Sequence, residues 1–237
     1  MNVPASQAQI LDSLEIEISP EDLSTRIKAR ANKGQILNLA AGLLEKVQGN
    51  WRPRAIIRWL AVDVVTTDMV KFKSLDGEKL GILRLGFASR FMTAAKFGLI
   101  GVFTAGDELE RESARASKER KVMDAYLYDL IGLAVLEKTR QQINKVVEEK
   151  ATEMNWGIGP FLSPGSVHGW KLEDQDTLCN FVPMDRIGVT KEENGILKPF
   201  KTISCLIGIG PKYTAKTVGA TCDVCSNKNQ CEMRVHE

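Results

Sequence analysis

The chain lacks a charge excess of either sign. Its 32 basic and 30 acidic side chains leave a formal charge of +2 over 237 residues, so no bulk electrostatic attraction draws it to nucleic acid or anionic lipid. It also lacks a long apolar run. The longest, around Phe97 to Phe103, is far too short to span a bilayer. Met1 to Ile10 has no basic stretch followed by an apolar one, which argues against secretion and predicts a cytoplasmic protein. There is no internal repeat, low-complexity tract or clear linker, and no Ser/His/Asp or Cys/His arrangement that would support a nucleophile. Gly208-Ile-Gly210 lacks the strand-to-helix context of a dinucleotide fingerprint. Glu173, Asp174 and Asp176 follow a helix start, where the macrodipole accounts for them better than a paired acid and base.

What is present is a chain that is 43% hydrophobic, enough to bury a sizeable core. Ser19-Pro20-Glu21-Asp22 reads as a capped helix start, with the helix running past Ile27, interrupted at Gly34 and resuming through Ile36, Leu39, Leu43 and Leu44 to about Val47. This is a helical hairpin or one bent helix. From Arg54 to Thr67 β-branched enrichment tips the second half towards strand. Val70-Lys-Phe-Lys, then Asp76-Gly77, then Leu80 to Leu85 predicts a hairpin, and Lys96 to Thr104 a buried strand. Glu108 to Arg120 carries many opposite charges at helical spacing, which makes it a solvated helix and a candidate docking face for a carrier protein. Met123, Leu127, Leu130, Ile131 and Ala134 form one apolar stripe, extended by Ile143, Val146 and Val147, of a core helix.

After Trp156 the glycines and prolines Gly157, Gly159, Pro160, Pro164, Gly165 and Gly169 predict a loop that lets backbone approach something closely. Lys171 to Phe181 reads as a short helix, Ile187 to Lys198 as a hairpin around Asn194-Gly195, and Thr202 to Ile209 as one more strand. The elements are segregated and hairpin-connected, so the expectation is α+β with an antiparallel sheet and flanking helices. A helical N-terminal segment is expected over 1–50, an α+β core over 51–215 and a Cys-rich tail over 216–237.

Three of the five cysteines sit in that tail, as Cys222-Asp-Val-Cys225 and Cys231. A Cys-x2-Cys pair lets two thiolates converge on one soft metal or one iron-sulfur cluster. The set Cys222, Cys225 and Cys231 is therefore a candidate metal site, with Cys205, Cys179 or His236 as fourth ligand and zinc and iron-sulfur both open; the alternative is a reduced tail. His168, in the glycine-rich stretch, could ligate a cofactor's metal or shuttle a proton, or be exposed filler. Trp156 and Trp170 flank that stretch and either line a flat cofactor surface or simply pack.

Leu162-Ser-Pro-Gly165, Trp170-Lys-Leu-Glu-Asp-Gln175, Ile187-Gly-Val-Thr, Gly195-Ile-Leu-Lys-Pro199-Phe-Lys-Thr-Ile-Ser204 and Ile207-Gly-Ile-Gly210, in that order, resemble the activation domain of vitamin B12-dependent methionine synthase, in its short stand-alone bacterial form. The acidic-then-apolar stretch from Asp107 to Lys150 and the tail Cys222, Cys225, Cys231 and Arg234 fit the same pattern. The resemblance covers roughly residues 95 to 237. It implies a twisted antiparallel sheet, S-adenosylmethionine binding, and docking on a corrinoid protein whose inactive Co(II) cobalamin is reduced and remethylated. Carried onto this chain, it makes Phe161, Ser163, Pro164, Gly165, Ser166, His168 and Trp170 the candidate ligand loop. The family's loop arginine and tyrosine positions hold Phe161 and Ser166 here.

The leading expectation is thus an accessory protein of corrinoid methyl transfer that supports reductive reactivation of a corrinoid protein or methionine synthase, with cobalamin carried by the partner. The alternatives are a binding or assembly module with a structural metal tail, and an iron-sulfur electron carrier.

Overall fold

A computed structural model describes residues 7–27, 32–193, 195–220 and 224. Its centre is a seven-stranded antiparallel sheet in the order β4-β3-β2-β5-β9-β6, with β1 also paired to β2. The strands are β1 (Gln9–Leu11), β2 (Arg54–Val65), β3 (Met69–Lys73), β4 (Lys79–Arg84), β5 (Phe97–Thr104), β6 (Gly157–Leu162) and β9 (Thr202–Gly210), while β7 (Thr190–Lys191) and β8 (Leu197–Lys198) form a separate pair. The helices are α1 (Pro20–Ser24), α2 (Lys33–Val47), α3 (Glu108–Lys118), α4 (Val122–Glu153) and α5 (Gln175–Cys179). The class is α+β.

Alternation along the strands divides the core in two. Ile57 and Trp59 on β2, Leu99 and Phe103 on β5, and Cys205 and Ile207 on β9 join α2 and α4 in one apolar cluster. Ile56, Leu60, Ile100, Val102 and Leu206 face the other way, onto the short helices and loops between β4 and β5 and between β6 and β9. Register leaves no ambiguity: each of β5's residues Phe97 to Thr104 is paired on both sides, to β2 and to β9. A one-residue slip would exchange the two faces.

The Asp76-Gly77 hairpin forms as the sequence predicts, with Gly77 at φ +95°. The Ser19 capping box also forms, Asp22 N–H donating to Ser19 Oγ (3.3 Å) and Ser19 N–H to the Asp22 carboxylate (2.9 Å).

Five expectations are corrected. The first helix ends at Ser24, short of Ile27, and Leu23 and Ile27 are anchored by burial rather than by a continuing helix. Gly34 lies inside the first turn of α2, and β2 is extended over its whole length from Arg54. Met123 is 45% exposed, while Leu127, Ile131 and Ala134 further along the same helix are buried.

The fifth correction concerns Gly157 to Leu162, which is strand β6 and no loop. Its glycines serve the packing of Tyr213. A Cβ on Gly157 would lie 2.1 Å from the Tyr213 carbonyl oxygen, and one on Gly159 2.9 Å from the phenol ring. Gly208 on β9 meets the same phenol oxygen, at 2.7 Å from its would-be Cβ. The side chains are missing where the tyrosine lies on the sheet.

Candidate functional site

β6 delivers the chain to the candidate loop at the edge of the sheet. Beyond Leu162 the backbone closes on itself: Ser166 N–H donates to the Ser163 carbonyl (3.2 Å), Trp170 N–H to that of Val167 (3.1 Å), and Gly165 N–H to that of Trp170 (2.9 Å). Gly165 and Gly169 make the closure possible at φ +76° and +85°, backbone that L side chains rarely adopt. The ring of bonds fixes the loop before any ligand arrives.

A short 3-10 helix, Gly86–Met92, clamps the loop from below. Gly86, at φ +53°, approaches so closely that a Cβ there would stand 2.4 Å from the Gly169 carbonyl oxygen, and one on Gly169 would stand 2.9 Å from Phe87 N. The Phe87 and His168 rings then stack, centroids 6.0 Å apart and planes 29° apart. Phe87 is 67% exposed and His168 is exposed too, so the pair offers a flat aromatic surface to solvent. Beneath it Trp170 is 2% exposed, and its Nε1–H has no hydrogen-bond partner. An orphaned indole donor costs about 1–3 kcal/mol of desolvation.

The structure brings together Ser163, Pro164, Gly165, Ser166, His168 and Trp170, but it sets Phe161 apart. Ser163 and Pro164 are buried, Ser166 is half-buried, and Gly165 and His168 face solvent. Phe161 is buried on the opposite face of the sheet, edge-on to Phe103 at 6.3 Å and 77°, with the Arg140 guanidinium 5.7 Å from its ring centre. Trp156 is on that face as well, stacked on Phe97 at 5.5 Å.

Cys205 and Cys179 are buried in different clusters on the two faces. Burial pushes both thiols up to about 12, which keeps them protonated and unreactive at neutral pH. Among the described residues no three His, Cys, Asp or Glu side chains gather as a metal site. Cys222, Cys225, Cys231 and His236 lie outside the described residues.

A polar junction that the sequence pattern does not signal joins α3 and α4 to the start of β9. Lys201, 6% exposed, donates from Nζ to Asp129 (2.8 Å) and lays its stem across Gly132, where a Cβ would fall 2.6 Å from Lys201 Cδ. Glu110 receives the Phe200 and Lys201 backbone N–H groups at 3.1 and 2.8 Å. Nothing local in Pro199-Phe-Lys-Thr marks Lys201 as interior. Only the tertiary partners reveal its role.

No family model matches the sequence, and no curated protein matches it. The fold has a counterpart. The chain is similar to the MetH reactivation domain, whose crystal structure was determined bound to AdoHcy, with a TM-score of 0.65 and 12% sequence identity over 89% of this chain and 81% of that one. At that identity the likeness is one of fold. Its coverage is larger than the part of the chain whose sequence carries the resemblance. No helix among the described residues is long and apolar enough to cross a membrane.

Proposed function

We propose that the protein is an accessory factor of corrinoid methyl transfer, supporting the reductive reactivation of a B12-dependent methyltransferase or of a separate corrinoid protein. The observation that carries this reading is the match of nearly the whole chain to a reactivation domain, together with the ordered series of short motifs from Leu162 to Gly210. The solved neighbour holds AdoHcy, and the same chemical class, S-adenosylmethionine or its demethylated product, is the proposed ligand here.

The loop fits such a ligand in part. Its glycines keep the backbone bare, Ser166 and His168 present polar atoms, and the buried Trp170 N–H is a donor without an acceptor. S-adenosylmethionine would supply an electrophilic methyl group. The chain's own part is to hold the ligand in a preformed backbone ring and to set the Phe87–His168 surface against the partner. Phe161 contributes no hydrogen bond, since its ring has neither donor nor acceptor. The ligand's carboxylate therefore falls to backbone N–H groups and Ser166.

A second reading, a binding or assembly module that keeps the shape without the methyl donor, is favoured by that same Phe161, buried where the family's loop carries a cation. The tail belongs to the proposal in either case: Cys222, Cys225 and Cys231 are proposed metal ligands on their spacing. Metal analysis of anaerobically purified protein tests this, and zinc or iron near one per chain is the expected result.

The functional test uses a B12-dependent methionine synthase stripped of its own reactivation domain and poised as Co(II). With reductant and S-adenosylmethionine, addition of this protein is expected to speed loss of the Co(II) electron paramagnetic signal. An unchanged rate, with the protein folded and in excess, favours the module.

A further inference from the structure

A cavity of about 390 Å³ opens between the end of α2 and the first turns of α3 and α4, and it shares no residue with the loop. Small-molecule sites commonly occupy roughly 300–1,000 Å³. Its floor is apolar, made of Val47, Leu109 and Tyr128, all buried. Its polar groups are layered: Glu108 is half-buried, and Lys46 and Arg111 stand exposed at the rim.

The acid at the base is unsatisfied. Glu108 Oε2 is buried and has no hydrogen-bond partner. It rests over Gly106, whose missing side chain makes its room, since a Cβ there would stand 2.2 Å from Oε2 and 3.1 Å from the Arg52 carbonyl oxygen. A half-buried carboxylate with one oxygen shut from water and without a partner calls for a donor, and the cations nearest in sequence do not provide it. Arg111 pairs with Asp107 (3.1 Å) and Arg115 with Glu112, while Lys46 makes no ion pair among the described residues. What stays open is one negative charge within and one positive charge at the mouth, over an apolar floor.

We propose that this cavity binds a zwitterionic amino acid with an apolar side chain, its ammonium group on Glu108, its carboxylate towards Lys46 and its side chain against Leu109, Val47 and Tyr128. The ammonium supplies three donors to a carboxylate that makes no hydrogen bond or ion pair among the described residues, met on the outer oxygen that faces the cavity. The site is independent of the adenosyl-ligand loop and stands whether or not that reading holds.

Titration calorimetry on the full chain with L-leucine, with 4-methylpentanoate, which lacks the ammonium, and with 3-methylbutylamine, which lacks the carboxylate, tests the assignment. L-Leucine is expected to bind saturably and each analogue at least about tenfold more weakly. Glu108→Gln is expected to weaken L-leucine about tenfold while leaving 4-methylpentanoate unchanged. It should also leave binding of S-adenosylmethionine as in the parent protein. No saturable heat from L-leucine up to about 10 mM, or equal affinity for the zwitterion and its analogues, overturns the proposal. So does loss of S-adenosylmethionine binding in Glu108→Gln, which would merge the two sites. A thermal melt of the variant establishes that it is folded, and if it is not, the analogue series on the unaltered protein decides.

Discussion

Gly86 and Gly169 hold the candidate loop by backbone alone, and this makes the site sensitive to one methyl group. Gly86→Ala combines φ +53° with an overlap of 2.4 Å on the Gly169 carbonyl, so a loss of about 1–3 kcal/mol in urea unfolding is expected. Gly77 is the control. It sits at φ +95° in open space, and Gly77→Ala should cost only about 1 kcal/mol of backbone strain. Equal losses would show that the loop does not depend on the close approach. The buried thiols give a pH prediction of definite sign. Cys179 and Cys205 have folded pKa values raised by burial from 9.0 to about 12, so the folded state holds their protons where the unfolded state has released them. Their contribution to stability is complete below pH 9 and is lost as pH rises towards 12. Falling stability in that window, and no labelling of these two thiols by a thiol reagent at pH 8 until the chain unfolds, are the expected results.

At the level of elements, what could be read from the sequence is whatever depends on neighbours in the chain. The Ser19 cap, the Asp76-Gly77 hairpin and the buried stripe Leu127, Ile131 and Ala134 are local patterns, and all three are present. β6 could not be read. Gly157 and Gly159 look like loop residues until Tyr213, some fifty positions away, is seen to fill the space they leave. Lys201 is the same case: no local pattern marks it as interior, and only Asp129 and Gly132 on α4 show that it is. The candidate loop was located by its motif, but the motif placed Phe161 with the ligand residues, whereas strand alternation turns it to the helical face. Tyr213→Ala empties the groove between β6 and β9, and a loss of about 3 kcal/mol is expected. Amide exchange should then rise in β6 more than in β2 or β5, which are paired on both edges. A uniform rise would contradict the assignment of Tyr213 as the packing partner of this edge strand.

For the whole molecule, the sheet carries two separate opportunities on a frame shared with a reactivation domain. The backbone ring at Ser163–Trp170 lies at the end of β6, and the Glu108 cavity lies among the helices that cover the other face. α4, whose 32 residues span about 48 Å, packs against both α3 and β6 and so ties the two regions to one frame. Neither site depends on net charge, which is nearly balanced, so partner and ligand recognition must be local in both. The loop is the more direct claim and is open to one decisive titration. S-Adenosylhomocysteine is titrated into the intact protein and into Gly86→Ala. Saturable micromolar binding that is weakened at least about tenfold in the variant is the expected result. No binding to the intact protein, or the same affinity in both, would contradict the loop as the adenosyl-ligand site.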